Sequence, residues 1–423
     1  MDRLVIRGGR RLAGSAAVSG AKNEALPCMA AALMAGGPLR LEGVPAVRDA
    51  ATMAALLETL GVRCRRDAGG VTLMREDAGP HAADYRLVRQ MRASVCVLGP
   101  LLASRGRARV AMPGGCQIGH RPVDVHLRAL AQLGADVRLE RGDIVAEAPS
   151  LVGRDVDVSG PAGPTVTGTC NLMAAATAAR GVTVLRRAAR EPEVAAFGRC
   201  LVAMGAEIDG LGSDTVEVRG AGPLGGATHA VGGDRIEAVT LAAAAAATGG
   251  AVRITGGCRH AGAAWDWLRA IGVEVEVSGD DASVTAGGPL RSEAITAEPH
   301  PGLPTDVQAQ LTAVLTRCEG SASVLDRVFP ERFGHLAELA RLGADVSRTA
   351  AGAVVRGPTP LAGASVMASD LRASAALVIA GLAATNETVV RRVYHLDRGY
   401  ERLEEKLRGL GADVERQPDP LPY

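Results

Sequence analysis

One short pattern recurs six times along this chain and limits what it can fold into. An apolar residue, a glycine, a small residue, a polar residue and an apolar residue follow one another at Leu60-Gly61-Val62-Arg63-Cys64, Leu133-Gly134-Ala135-Asp136-Val137 and Met204-Gly205-Ala206-Glu207-Ile208. The order returns at Ile271-Gly272-Val273-Glu274-Val275, Leu342-Gly343-Ala344-Asp345-Val346 and Leu410-Gly411-Ala412-Asp413-Val414. Successive glycines lie 73, 71, 67, 71 and 68 residues apart. Each copy closes a helical run and opens an alternating strand, so the glycine is expected to supply a left-handed helix stop. Such a period is longer than a solenoid unit and accommodates a βαβαββ motif. Six motifs in 423 residues predict an α/β protein of two domains with three motifs each.

A second periodicity lies inside the first. Alanine-rich helices are expected to end at Gly36, Gly106, Gly181, Gly249, Gly320 and Asn386. Stretches such as Leu172–Ala179 and Leu241–Ala247 are apolar on nearly every side, which predicts helices buried at the centre of each domain. Their polar residues gather at the beginnings: Lys22-Asn23, Arg92 and Ser94, Thr165–Thr169, Asp234-Arg235, Thr305-Asp306, and Asp370 with Arg372. A buried helix with a charged first turn aims that turn at something polar, such as a cleft. A third periodicity places an arginine in the following loop of each copy: Arg48, Arg121, Arg190, Arg259, Arg332 and Arg398. Six arginines near six helix N-termini predict an anion-binding field between the domains.

Composition removes several alternatives. With 47 basic against 46 acidic residues the net charge is +1, so no bulk positive field exists to hold nucleic acid or an anionic membrane. Three Phe, four Tyr and two Trp are too few for base-stacking platforms. The eight cysteines lie too far apart for a CxxC metal or redox pair. The start, Met1-Asp2-Arg3-Leu4-Val5-Ile6-Arg7, reads as a strand and not as a leader, so the thiols are expected to be free in a reducing cytoplasm. The longest apolar stretch, Ala238–Thr248, is far short of the ~20 residues that span a bilayer. Lysine is confined to Lys22 and Lys406, every other cation of this kind being arginine, so each marks a place where a compact ammonium is wanted.

Three residues are chemically conspicuous. Lys22 opens a buried helix, where a cation opposes the macrodipole unless an anion joins it; the alternative is a lysine snorkelling to the surface. Cys116 lies in Pro113-Gly114-Gly115-Cys116-Gln117-Ile118-Gly119-His120-Arg121-Pro122, a shaped loop and not a core strand. Beside His120 and Arg121 its thiol is a candidate acid or nucleophile, whereas the other seven cysteines read as small core residues. Asp306, in Leu303-Pro304-Thr305-Asp306-Val307-Gln308, either caps its helix or serves as a general base. Asp370 and Arg372 occupy the matching place in the next motif, with the same two readings.

At these residues the chain resembles the enolpyruvyl transferases. The resemblance rests on Ser19–Pro27, Met91–Ser94, Pro113–Asp124, Ala189–Glu193, Pro304–Gln310, Ala368–Ser374 and Tyr394–Leu403, and covers nearly the whole length. It implies a two-domain inverse α/β barrel-like fold of six βαβαββ units: residues 22–230 as a domain carrying the Cys116 loop, and residues 1–21 with 231–423 as the second. The N-terminal strand would return to complete the second domain, and the site would lie in the interdomain cleft, closing as the Cys116 loop folds down. The activity implied is transfer of the enolpyruvyl group of phosphoenolpyruvate to the 3-hydroxyl of UDP-N-acetylglucosamine, with release of phosphate, in peptidoglycan precursor synthesis. No cofactor and no metal is implied.

By the same resemblance, phosphoenolpyruvate is held by Lys22, Arg92, Arg121, Arg372 and Arg398. Cys116 is the acid, the site of a covalent adduct and of alkylation by fosfomycin, and Asp306 is the base; Lys22 and Arg398 join them in catalysis, with Asp370 and Arg332 supporting. Nucleotide-sugar contacts fall on Asn23, Arg92, Arg121, Pro122, Val123, Asp124, Val125, Thr165, Val166, Thr167, Asp306 and Val328. The pattern departs at Cys170, where relatives often carry Glu. Enolpyruvyl transferases of peptidyl-nucleoside antibiotic pathways are similar and use UMP, which is the alternative acceptor. The Gly-Gly-Cys loop belongs to the nucleotide-sugar branch and not to the shikimate branch. A non-catalytic repeat scaffold predicts erosion of Lys22, Cys116, Asp306 and Arg398 together, and all four are present.

Overall fold

All six repeat glycines adopt a left-handed backbone in the computed structural model, which describes residues 2–112 and 123–420. Their φ angles are +80°, +98°, +105°, +101°, +91° and +93° at Gly61, Gly134, Gly205, Gly272, Gly343 and Gly411. In each copy the preceding apolar residue is the helix C-cap, so glycine supplies the stop as the pattern demands. The second set of stops needs correction. Only Gly106 and Gly249 cap their helices directly, with φ of +64° and +67°. The others end earlier, at Ala31, Ala176, Leu315 and Ala383, because the chain tightens before the marker residue. The amides of Ala178, Ala179, Arg317 and Cys318 reach back three residues and not four, the bonding of a closing 3-10 turn.

The chain folds as two units. The described residues from Gly20 to Gly232 form one; those up to Ser19 and from Gly233 onward form the other. Glycine is required at both crossings by close backbone approach: a Cβ on Gly20 would meet the Gly43 carbonyl oxygen at 1.9 Å, and one on Gly233 would meet the Gly257 nitrogen at 2.4 Å.

Each unit holds three four-stranded sheets built to one plan, with a parallel pair extended by two antiparallel strands. In the sheet of Ile295–Ala297, Gly320–Asp326, Ala353–Gly357 and Asp345–Arg348, the first two strands run parallel and the others antiparallel to their neighbours. Three of the six sheets recruit a strand from elsewhere in the chain. Asp2–Arg7 pairs with Glu387–Arg391 and Asp413–Pro418, and Ala13–Ala17 pairs parallel with Ala251–Thr255. In the other unit Ala227–Ala230 pairs parallel with Leu39–Glu42. The contiguous motif of the sequence is therefore closed by exchange of strands within each unit.

At the centre of the second unit stand three helices, Arg235–Thr248, Thr305–Leu315 and Leu371–Ala383, which pack on one another. Alanine is frequent in two of them, Arg235–Thr248 and Leu371–Ala383, and small side chains let helix axes approach closely. The first unit is built alike around Lys22–Ala31, Leu98–Arg105 and Val166–Ala176, the second of these preceded by a 3-10 turn over Arg92–Val97. Each unit has its own apolar core. The sheets cover it with one face buried and one wet, as the alternating burial of Ala251–Thr255 shows.

Candidate active site

The polar residues do open the buried helices, and in the unit that continues from Gly233 two of these helix starts meet through Asp306 and Arg372. In the unit of Gly20–Gly232, Lys22 is the first residue of its helix and its ammonium lies 3.3 Å from the Asp49 carboxylate. The two side chains are 12% and 4% exposed, so Lys22 is not a surface lysine. Asp49 is the anion that makes a cation tolerable at a helix N-terminus. Asn23 is exposed beside it, and the buried Glu24 accepts from the Gly232 amide at 3.2 Å and lies 2.9 Å from His229 Nε2. Arg92 opens the 3-10 turn and is half-buried.

Thr165 caps the Val166 helix, its hydroxyl accepting the Gly168 amide at 3.2 Å. Val166 and Thr167 form the first turn and are partly exposed. Cys170, the departure from the resemblance, faces inward. Burial and the neighbouring Cys96 hold its thiol well above the ordinary range, so it brings no charge to the helix start. Val123 precedes the helix Asp124–Gln132, with Val125 buried in its first turn. Cys116, Arg121 and Pro122 lie outside the described residues.

In the other unit Asp306 does not cap its helix. Its Oδ1 accepts from Arg332 Nη1 at 2.7 Å and its Oδ2 from Arg372 Nη2 at 2.9 Å. Both arginine side chains are buried, at 6% and 2% exposure. Burial by itself would raise the Asp306 pKa, but the Arg372 and Arg332 guanidiniums outweigh it and hold the carboxyl well below its usual range. Arg372 Nε and Nη1 and Arg332 Nε are buried without a partner among the described residues. A buried guanidinium with N–H groups to spare has the chemistry to pair with an anion.

Asp370, in contrast, does cap, accepting the amides of Arg372 and Ala373 at 2.9 and 3.1 Å. The capping reading fails at Asp306 and holds at Asp370. The Arg372 guanidinium lies 5.3 Å over the Tyr400 ring, and the Tyr400 hydroxyl bonds Thr240 at 2.8 Å and Gln310 at 3.1 Å. Arg398 ends the turn Val393–Arg398 and is half-buried. Val328 donates its amide to Asp326 at 3.0 Å.

The sixfold arginine pattern does not describe six equivalent side chains. Arg332 is buried against Asp306, while Arg48, Arg190 and Arg259 are exposed. The sequence marks a shared backbone place, and the neighbours decide what the side chain meets there. Sequence reasoning missed Asp49, the Glu24–His229 pair and the Tyr400–Thr240–Gln310 cluster. Asp49, next to the repeat arginine Arg48, was within reach of the periodicity. Six of the seven described cysteines behave as expected: Cys28, Cys96, Cys170, Cys200, Cys258 and Cys318 are buried, whereas Cys64 is only partly so, and burial pushes the Cys96 thiol up to about 12. Among the described residues no helix is long and apolar enough to cross a membrane.

Comparison with known proteins agrees with this architecture. The family model described as EPSP synthase (3-phosphoshikimate 1-carboxyvinyltransferase) matches residues 6–407, and the chain belongs to that family, the enolpyruvyl transferases. Within it, the UDP-N-acetylglucosamine 1-carboxyvinyltransferase of Sorangium cellulosum is 51% identical, with 98% of this chain and 99% of that protein covered. The enzyme of the same name from Maricaulis maris is 50% identical over 99% of this chain and all of its own length, and that of Koribacter versatilis is 47% identical over 98% and 96%. Among solved structures, the enolpyruvyl transferase NikO from Streptomyces tendae superposes with a TM-score of 0.88 at 28% identity, 99% of each chain being covered. EPSP synthase from Acinetobacter baumannii gives 0.74 at 18% identity, covering 99% of this chain and 100% of its own, a likeness of fold.

Proposed function

We propose that this chain transfers the enolpyruvyl group of phosphoenolpyruvate to the 3-hydroxyl of UDP-N-acetylglucosamine, releasing phosphate. The observation that carries the reading is 47–51% identity, over nearly full length, to enzymes named for that reaction. NikO, at 28% identity, is a far more distant relative than these.

In the addition step the acceptor oxygen bonds to C2 of phosphoenolpyruvate while C3 takes a proton. In the elimination step C3 gives up a proton and the C2–O bond to phosphate breaks, restoring the double bond. Asp306 takes the hydroxyl proton, and Cys116 supplies the proton to C3. The anionic substrate is held by Lys22, Arg92, Arg121, Arg372 and Arg398. Arg372 is the best supported of these, because its unpartnered Nε and Nη1 present two donors to a carboxylate or phosphate while Nη2 keeps Asp306. In a dry site such cations act strongly on the charge that develops at C2. Asn23, Pro122, Val123, Asp124, Val125, Thr165, Val166, Thr167 and Val328 hold the nucleotide sugar, the Val166 helix N-terminus facing its diphosphate. On this reading both sets of residues serve one reaction, and it takes place in the cytoplasm.

The test is phosphate release from phosphoenolpyruvate with each acceptor in turn. Turnover with UDP-N-acetylglucosamine and none with UMP is expected; turnover with UMP alone overturns the reading.

A further inference from the structure

A chain of hydrogen bonds inside the Gly20–Gly232 unit fixes which way one hydroxyl points. Asn171 is buried, and its amide has one sense only. Its Oδ1 accepts the Gly99 amide at 2.8 Å, and its Nδ2 donates to the Val95 carbonyl at 2.9 Å. The remaining hydrogen on Nδ2 faces His126 Nδ1 at 3.1 Å. Nδ1 must therefore carry a lone pair, and the proton of a neutral ring sits on Nε2. Nε2 lies 3.3 Å from Thr167 Oγ1 and donates to it. His126 is 2% exposed, and burial together with the nearby Arg92 charge pushes its pKa down to about 4, Asp124 opposing this less strongly. The ring stays neutral at physiological pH.

We propose that His126 is a positioning residue for the acceptor. By donating to Thr167 Oγ1 it leaves the Thr167 hydroxyl hydrogen for an outside oxygen at the start of the Val166 helix, and so makes Thr167 a donor to a phosphate oxygen. The opposite tautomer would take that hydrogen for itself. The inference rests on the reading that Thr165–Thr167 hold the acceptor's phosphates; the tautomer stands apart from it.

Two measurements test the proposal. Nitrogen–proton correlation spectra of histidine-labelled protein, with the ring assigned by loss of its signals in His126→Gln, are expected to show an Nε2–H neutral ring between pH 6 and 8. An Nδ1–H ring overturns the proposal whatever the substrate is. Calorimetric titration with UDP-N-acetylglucosamine, UDP and UMP then identifies which the wild type binds. For that ligand, His126→Phe is expected to weaken binding about tenfold, and Thr167→Val about as much. The double variant should be no weaker than Thr167→Val, and KM for phosphoenolpyruvate should be unchanged. His126→Gln, which keeps an N–H donor near the same place, should recover most of the loss. Undiminished binding in His126→Phe, or His126→Gln as poor as His126→Phe, sinks the inference. A wild type that binds UMP alone sinks the proposed acceptor and leaves this inference to be judged on UMP.

Discussion

Asp306 at rest is a poor base. Two guanidiniums hold it ionised, and a carboxylate so stabilised has little affinity for a proton. For Asp306 to serve as the proposed base, an anion paired with Arg372 Nε and Nη1 must draw on that guanidinium's charge and so weaken its hold on Oδ2. Removing a cation must raise the pKa. Arg332→Gln is therefore expected to bring an acid limb into the pH profile of kcat/KM for the acceptor, where the wild type shows none from Asp306; an unchanged profile would tell against this coupling. Asp306→Asn should lower phosphate release by at least about a hundredfold, the usual worth of a general base. At this scale Lys22 was legible because lysine is so scarce that the residue announced itself. Its partner Asp49 was hidden among 46 acidic residues. Asp306 and Arg372 were legible as helix-start residues, but their pairing was not, because the register of two helices far apart in sequence sets it.

The helix stops were the most legible elements, since a residue at φ near +90° has few substitutes for glycine. The ends of the buried helices were less so, because alanine runs carry no signal distinguishing a last α turn from a 3-10 turn. One tie between elements went unread. Lys406, in the helix Leu403–Gly409, donates to Ser19 Oγ at 2.7 Å and pairs with Glu237 of the Arg235 helix, while Glu237 also accepts the Ser19 amide at 2.8 Å. Glu237 is 2% exposed at its side chain; burial raises its pKa, and the Lys406 ammonium opposes this. The second lysine, like the first, sits where a compact cation meets a buried carboxylate. Lys406→Met leaves Glu237 without its cation and should cost about 3–5 kcal/mol in thermal unfolding. Glu237→Gln with Lys406→Met should recover much of that loss, because no charge then remains buried. A double variant as unstable as Lys406→Met would mean that packing, and not charge, sets the cost.

For the whole molecule, two domains of three motifs could be read from the period alone, yet the exchange of strands could not: the return of the N-terminal segment was expected only from the resemblance, and the pairing of Ala227–Ala230 with Leu39–Glu42 was not expected at all. Ala13–Ala17 and Ala227–Ala230 are short and rich in alanine, with little of the β-branched signal that marks a strand. What does emerge at this scale is a common acid weakness. Among the described residues each unit buries one histidine that must stay neutral: His126 in the first, and in the second His335, whose pKa burial also pushes down to about 4, Asp370 opposing this and Arg332 adding to it. An unfolded chain binds a proton at both positions near pH 6.5, while the native chain refuses it until about pH 4. Between those values the unfolded state holds more protons, so stability must fall as pH falls, by on the order of 3 kcal/mol for each ring across the whole window. The Asp306 cluster adds its own loss only below this range, since its carboxyl titrates lower still. Thermal melts from pH 7 to pH 4 are expected to show a steady drop in Tm for the wild type. His335→Gln, which has nothing to protonate, should show a shallower drop for the second unit's transition; an equal slope would assign the acid loss to other groups.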